Sequence, residues 1–443
     1  MTVAGDVPAR ALVESEVRRS RLRLLVLLVL VGTVAAIGYH YVSAYYIGYD
    51  YPRTTFLMDP LDRFNDWDNL YVFAEDFLRG VPGPYAYYPF AILFAVASTV
   101  LPMRAGFVVL EVLFVVVLVL LLWRWALDCE DEALLRLQEL VVLVAFSYPV
   151  LFALDRGNIE ILIFVLLAGF FCFLYKHDSA WLAGFLLAAA IALKLYPATL
   201  LLLLVAERRL KALVVAVAGA LVLTAASTLA VTALGHFTLG EFWDMNAEGK
   251  ALYQQTMVWG GYGVHHGHAL WSLLKVPSMV ADTGVPQWHS TLYVAGAAVI
   301  FIAVALHVLF RETERWRRVL LCVVPALLLP YVSADYTLIH LYFPLVFFLR
   351  APRVPRWDPV IVVVFAVLLV PVDYVYFTPL REWASVSIVV YPIALLALMA
   401  LAVWAPRAPA APGAPLAPAD VAGRGGAGSS AVAVRGAPAS RGG

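Results

Sequence analysis

Long apolar segments recur along almost the whole chain, and short polar connections separate them. A membrane helix needs about 20 mostly apolar residues, and its backbone amides must be satisfied within the segment. Twelve segments are candidates: 22–44, 86–102, 104–126, 137–154, 158–175, 180–206, 211–234, 291–310, 318–334, 337–350, 358–376 and 384–404. This pattern predicts an all-α, polytopic helical membrane protein with about twelve transmembrane helices.

Two of these segments leave the topology open. Segment 86–102 is short, and segment 180–206 contains Lys194 and Pro197 midway. If the first is re-entrant and the second is a pair of half-helices, the loops near the two ends of the chain stay on the same side of the membrane. The connections in the middle of the chain then lie on the opposite side. The pattern alone does not decide between the two arrangements.

Basic residues predict the orientation of the ends. Arginines precede the first apolar segment, and no small-residue cleavage pattern follows it, which indicates an uncleaved helix with residues 1–21 in the cytoplasm. With twelve spans, the basic connections at 207–211, 311–318 and 350–356 also lie in the cytoplasm. The longer connections at 45–86 and 235–290 then lie on the extracytoplasmic face.

Composition narrows the class further. Of 443 residues, 63% are hydrophobic and only 14% are charged, and the net charge of zero gives no reason to expect a nucleic-acid partner. Cys129, Cys172 and Cys322 are too far apart in sequence to predict a disulfide framework or a metal site. The membrane domain therefore covers 22–404, and the Ala-, Pro-, Gly- and Ser-rich residues 405–443 are expected to be a disordered cytoplasmic tail.

An acidic, aromatic stretch at 63–80 follows the first apolar segment and carries candidate chemistry. Asp66-Trp67-Asp68 has the letters of a metal-binding Asp-x-Asp motif, but no α/β domain surrounds it. These acids could also simply solvate a loop. The third reading is that one carboxylate is a general base, since a hydroxyl that attacks a sugar carbon must lose its proton.

Four groups of residues then follow in order. They are Asp66, Tyr71, Gly80, Pro84-Tyr85 and Tyr88-Pro89-Phe90; Arg156-Gly157-Asn158; Ala183-Gly184 with Lys194-Leu195-Tyr196-Pro197; and Pro330, Ser333, Asp335-Tyr336, His340 and Pro344. Over roughly residues 20–400 the chain resembles the polyprenyl-phosphate-sugar-dependent glycosyltransferases of family 87, bacterial α-mannosyltransferases of GT-C fold. Arg156-Gly157-Asn158 and Lys194-Leu195-Tyr196-Pro197 are also similar to sequences of the eukaryotic GPI mannosyltransferase I subunit, a GT-C relative. The chain departs from the family in residues 263–270, where a histidine-rich sequence replaces an Asn-x-Ser-Leu type.

The resemblance implies a mechanism and partners. Such enzymes take a sugar from a polyprenyl-phosphate donor on the extracytoplasmic face of the cell membrane and transfer it with inversion to a lipid- or envelope-linked acceptor. Because phosphate is a good leaving group, neither a general acid, a metal nor a cofactor is required. Asp66 is the expected base and Asp68 the alternative. The donor sugar could be mannose, arabinose or glucose.

Cations and hydrogen-bond donors are needed for the departing phosphate. The candidates are Lys194, Arg156, His265, His266, His268 and His340. A lysine inside an apolar segment is expensive to place in hydrocarbon and is by default functional or paired, although Lys194 could also snorkel. The histidine run could be a metal site or ordinary loop residues, but it lacks a partner carboxylate at helical spacing.

Trp67, Tyr71 and Tyr336 are the expected substrate-lining aromatics. Two other classes of protein remain open from the sequence. A transporter or flippase would share the twelve-helix layout, but matching broken helices in two halves are not visible. A non-catalytic assembly factor would leave Lys194 and the acidic stretch unexplained.

Overall fold

The computed structural model describes residues 6–406 except 60, 62–63, 82, 84–85, 127–132, 261–263, 265, 282, 353, 355 and 378–383. The helices of these ranges are α1 (Asp6–Val42), α2 (Asn65–Leu78), α3 (Pro89–Ser98), α4 (Met103–Ala126), α5 (Ala133–Phe146), α6 (Tyr148–Arg156), α7 (Glu160–Tyr175), α8 (Ala180–Leu193), α9 (Leu201–Ala206), α10 (Leu210–Leu234), α11 (Leu239–Tyr253), α12 (Leu270–Val280), α13 (Gln287–Phe310), α14 (Arg315–Leu328), α15 (Tyr342–Arg350), α16 (Asp358–Leu369) and α17 (Ser387–Trp404). Short 3₁₀ or π-helical segments occur at Ser43–Ile47, Tyr196–Leu200, Gln254–Trp259 and Asp335–Leu341. Strands β1 (Tyr376–Phe377) and β2 (Ala384–Ser385) form one antiparallel pair. The predicted tail lies almost wholly outside the described residues.

The prediction of an all-helical membrane protein is confirmed. Among the described residues, α1, α4, α10, α13 and α17 are long and apolar enough to cross a membrane, and the bent pair α5–α6 can count as a sixth span. Only 17% of the apolar window of α13 is buried inside the protein. Such an apolar exterior suits a hydrocarbon solvent. The predicted count of twelve full-length spans is not reproduced, because the other segments are shorter or broken helices.

Proline sets the break between α5 and α6. The two helices meet at an angle of 59°, and Ser147 between them has the extended angles φ −76° and ψ 120°. Pro149 stands in the first turn of α6, where its ring is tolerated, but it removes a backbone donor that a continuous helix would need. The predicted single helix at 137–154 is therefore two helices.

Buried arginines gather several helix ends at one end of the bundle. Arg21 of α1 donates to the carbonyl of Ala351 after α15 over 2.6 Å and pairs with Asp358 at 2.7 Å. Arg317 donates to the carbonyl of Ala405 after α17 over 2.7 Å. Each cation thus satisfies carbonyls at a helix C-terminus, where the helix dipole also favours positive charge. We call this the basic end.

Segment 180–206 begins and ends at the basic end. The Tyr175 hydroxyl donates to Glu207 over 2.8 Å, and Arg209 pairs with Asp178 at 2.5 Å. The connections before α8 and after α9 are therefore neighbours, and α8 runs antiparallel to α7. Lys194 at the tip of this broken hairpin has extended angles, φ −148° and ψ 145°. The structure thus favours the half-helix alternative for this segment.

Segment 86–102 likewise returns to its starting end, which is opposite to the basic end. The aromatic ring of Tyr87 before α3 lies 6.0 Å from the ring of Phe73 in α2. The Tyr71 hydroxyl, also in α2, donates to the carbonyl of Leu101 after α3 over 3.0 Å. Both ends of α3 therefore contact the same helix. We call this end of the bundle, which carries α2, the acidic end.

Candidate functional site

Asp66 lies in the first turn of α2 and is held by the C-terminus of α6. Arg156 forms an ion pair with one carboxylate oxygen of Asp66, and the Asn158 amide donates to the other oxygen over 2.7 Å. Gly157 between them has φ +61°, a left-handed conformation that favours glycine. A Cβ at that position would lie 2.7 Å from the ring of Phe107. The Arg-Gly-Asn sequence is therefore a tight turn that presents a cation and an amide to one carboxylate.

A second cluster forms around Glu160, the first residue of α7. Lys194 Nζ lies 2.6 Å from Oε1 of Glu160. The other carboxylate oxygen, Glu160 Oε2, accepts a hydrogen bond from the Tyr196 hydroxyl and lies 3.1 Å from His340 Nε2. The Tyr196 hydroxyl and His340 Nε2 are 2.6 Å apart. The lysine that the sequence places in an apolar segment is thus paired with a carboxylate.

The two clusters are joined by hydrogen bonds. The backbone N–H of Glu160 donates to Asn158 Oδ1 over 3.1 Å, so a continuous chain runs from Asp66 through Asn158 and Glu160 to Lys194. Tyr336 lies close enough for the charges of Asp66 and Glu160 both to act on its hydroxyl. The side chains of Lys194 and Asp66 keep 28% and 21% of their surface exposed, whereas Glu160 keeps 1%. Lys194 and Asp66 are therefore the charged members that a ligand can reach.

Tyr87, in the connection before α3, lies beside Asp66. Burial and, secondly, the nearby charge of Asp66 raise the pKa of Tyr87 to about 12. The phenol therefore stays protonated at neutral pH and can donate a hydrogen bond. The Asn246 side chain of α11 donates to the carbonyl of Tyr87 over 3.0 Å, which ties the connection after α10 to the site.

The histidine-rich sequence is pinned to the residues before α15. The N–H of His268 donates to the carbonyl of Ser333, and the N–H of Asp335 donates to the carbonyl of His266, both over 2.9 Å. The His268 ring is fully buried, with Nδ1 3.0 Å from Asp335 and Nε2 3.0 Å from Ser333 and 3.3 Å from Thr337. Both ring nitrogens thus have partners inside the protein, which assigns His268 to holding this loop rather than to a phosphate.

Two further polar groups extend this network. The Tyr148 hydroxyl donates to Asp335 Oδ2 over 3.0 Å. Asp373, in the connection between α16 and α17, accepts a hydrogen bond from the Ser385 hydroxyl. Burial and then the neighbouring carboxylate of Asp335 raise the pKa of Asp373 to about 7. The carboxyl of Asp373 therefore takes up a proton at a higher pH than an exposed aspartate does.

The predicted lining aromatics fall into two classes. Trp67 is 2% exposed and its indole N–H donates to the carbonyl of Met103 over 2.9 Å. Tyr71 is also buried, and its hydroxyl is bonded to Leu101. Both rings pack α2 onto the start of α4 and are interior residues rather than substrate-lining ones, because buried Trp and Tyr must find partners for their polar atoms. Tyr336 is partly exposed, so its substrate-lining role stays a prediction.

The remaining predicted residues are distributed as follows. Asp68 is partly exposed, and no described residue provides its carboxylate with a hydrogen-bond partner. His340 is buried beneath Glu160. His265 lies outside the described residues, and His266 is buried against the ring of Phe152 at 4.8 Å. No group of three or more metal-ligating side chains that could hold an ion occurs within the described part of the chain.

Sequence reasoning missed Glu160, Tyr196 and the role of Asn158. The signal for Glu160 was present, because it is the one charged residue of α7. The rule that flagged Lys194 applies equally to a carboxylate at the start of an apolar helix. Pairing the two would have required knowing that α8 returns along α7.

Comparison with protein families gives one match. The model of glycosyltransferase family 87 matches residues 85–330, more than half of the chain. The matched range includes Arg156, Glu160 and Lys194, whereas Asp66 and His340 lie outside it. Comparisons with curated proteins and with solved structures give no match.

Proposed function

The chain belongs to glycosyltransferase family 87, and we propose that this membrane glycosyltransferase transfers mannose from a polyprenyl-phosphate donor to a hydroxyl of a lipid- or envelope-linked acceptor. The observation that carries the proposal is the hydrogen-bonded chain from Asp66 to Lys194. It joins a carboxylate and a cation that a ligand can reach, which are the two groups that such a transfer needs.

Asp66 is the general base in this proposal. The acceptor oxygen attacks the anomeric carbon while the bond from that carbon to the phosphate oxygen breaks and its electron pair leaves with the phosphate. The acceptor proton passes to Asp66. A single displacement inverts the anomeric centre. The ion pair with Arg156 fixes the orientation of this base, and a good leaving group makes a modest base sufficient.

Lys194 and Arg156 stabilise the departing phosphate. Lys194 is held by Glu160 at 2.6 Å, and with its partial exposure it can share its three donors between that carboxylate and a phosphate. His340 has an indirect role, because its ring contacts Glu160 and Tyr196 and holds them in position. Cations that are already positioned need no reorganisation when charge develops on the leaving group.

The orientation follows from charge. Arginines are concentrated at the basic end, and the positive-inside rule places such an end in the cytoplasm. The acidic end with Asp66 is then extracytoplasmic, in a multi-pass protein of the cell membrane. A polyprenyl carrier can present its phosphate at this membrane surface while its hydrocarbon chain remains in the bilayer.

A transfer assay tests the proposal. Purified protein is incubated with radiolabelled polyprenyl-phosphate mannose and a membrane-lipid extract, and label is followed into glycolipid. We expect transfer by the wild type and by Asp68→Asn, and its loss in Asp66→Asn at equal expression. Loss in Asp68→Asn alone would make Asp68 the base. Flux of the labelled lipid across liposomes without transfer would favour a transporter instead.

A further inference from the structure

A cavity of about 530 Å³ opens at the basic end, far from Asp66 and Lys194. Small-molecule sites typically measure roughly 300–1,000 Å³. The cavity is bounded by the residues that follow α9, Glu207, Arg208 and Arg209, and by the first turn of α14, which provides Arg315 and Arg318. Two segments that are distant in sequence therefore place four guanidinium groups around one space.

Three of these guanidinium groups have free donors. Arg318 donates from Nε to the carbonyl of Glu312 over 2.7 Å, which leaves its Nη groups. Arg315 stacks over the ring of Tyr175 at 4.3 Å. The side chain of Arg208 has no hydrogen bond or ion pair with any residue in the described ranges. Arg315 and Arg318 are thus held in place while N–H donors of their guanidinium groups stay available to an anion.

The general bias of cytoplasmic loops towards positive charge does not explain this arrangement. That bias concerns how many cations a loop carries, whereas here the cations converge. Arg315 and Arg318 also stand in the first turn of α14, where the helix dipole disfavours cations. Asp178 compensates Arg209, but within the described residues no carboxylate lies at ion-pair distance from Arg208, Arg315 or Arg318.

We propose that this cavity binds a phosphate-bearing anion. Guanidinium groups match phosphate oxygens in geometry and bind them with charge-assisted hydrogen bonds. The cavity lies where α9 ends and α14 begins, next to the start of the candidate membrane span Leu210–Leu234, so an anionic phospholipid can supply the phosphate from the bilayer. A soluble phosphate compound can supply the same group from the cytoplasm. Binding here would pin the α8–α9 hairpin, whose tip carries Lys194, to α14.

The test uses the full-length protein in phosphate-free neutral detergent. Native mass spectrometry measures the occupancy of phosphatidylglycerol against zwitterionic phosphatidylcholine, and thermal unfolding measures stabilisation by inorganic phosphate. The variants are Arg208→Gln, which removes no side-chain hydrogen bond or ion pair with a described residue, and Arg208→Gln with Arg315→Gln. Lys211→Gln is the matched control, because it removes an exposed charge at the same end outside the cavity.

We expect the wild type to prefer phosphatidylglycerol and the double variant to bind it about tenfold more weakly, since charge-assisted hydrogen bonds are lost. Stabilisation by inorganic phosphate that disappears in the double variant, without a lipid preference, would also support the site and identify a soluble ligand. Equal behaviour of wild type and double variant towards both probes would overturn the proposal. So would an equal loss in Lys211→Gln, because the effect would then be diffuse charge.

Discussion

Asp66→Asn changes a position where two donors converge on a carboxylate. Arg156 keeps only 9% of its side chain exposed and would lose the Asp66 carboxylate as an ion-pair partner. The introduced amide would also turn one donor group towards Asn158, which cannot flip without releasing the N–H of Glu160. One unsatisfied charged or polar group costs about 1–3 kcal/mol of stability. Loss of a general base lowers kcat about 10²–10⁴-fold.

These two effects can be separated by exchanging the side chains. In the double variant Asp66→Asn with Asn158→Asp, the introduced amide donates to the introduced carboxylate, which still accepts from the N–H of Glu160. The net charge is unchanged and Arg156 retains an acceptor. We therefore expect the exchange to recover most of the lost stability, to within about 1 kcal/mol. Transfer activity should stay low, because the carboxylate has moved to another element.

Both variants are measured by thermal unfolding in detergent and by label transfer per folded protein. We expect Asp66→Asn to lose stability and activity together, and the exchange variant to recover stability but not activity. An Asp66→Asn protein with normal activity per folded molecule would refute the assignment of the base. Recovery of activity in the exchange variant would show that only the local fold matters.

Three further outcomes are expected. Lys194→Gln should raise KM for the donor about tenfold or more, because a charge-assisted contact to phosphate is lost. Lys194→Arg should retain more affinity for the donor. An unchanged KM in a stable Lys194→Gln protein would contradict this role. Gly157→Ala should destabilise the protein by about 2 kcal/mol or more, because residue 157 has a left-handed φ and an added Cβ would collide with the ring of Phe107. An unchanged unfolding midpoint would contradict this expectation. The raised pKa of Asp373 means that the folded state binds this proton more tightly than the unfolded state, so its contribution to stability falls as pH rises from about 4 to about 7. Asp373→Asn should therefore stabilise the protein more at pH 8 than at pH 5, and an equal increment at both would argue against that titration.

The fold class could be predicted because the apolar pattern is a direct consequence of the hydrocarbon solvent. The course of segment 180–206 could not, because two apolar half-helices have the same composition as one long helix. The deciding contacts join Asp178 with Arg209 and Tyr175 with Glu207. Each pair involves residues that are ordinary surface charges or interfacial aromatics when read singly.

Part of the candidate site was also readable from the sequence. Lys194 stands out because a charge within an apolar segment must have a partner or a function. Arg156 stands out through the Arg-Gly-Asn sequence between two apolar segments. Glu160 was overlooked because its partners Lys194 and His340 come from other parts of the chain. The burial of Trp67 could not be predicted for the same kind of reason, since only the packing of α2 on α4 shows that its ring is interior.

The most direct measurement is a structure of the protein with an unreactive polyprenyl-phosphate sugar analogue. We expect a phosphate oxygen of the analogue within about 3 Å of Lys194 Nζ, with the anomeric carbon facing Asp66. A donor phosphate bound away from both residues would contradict the claim that one linked site, from Asp66 to Lys194, carries out the transfer.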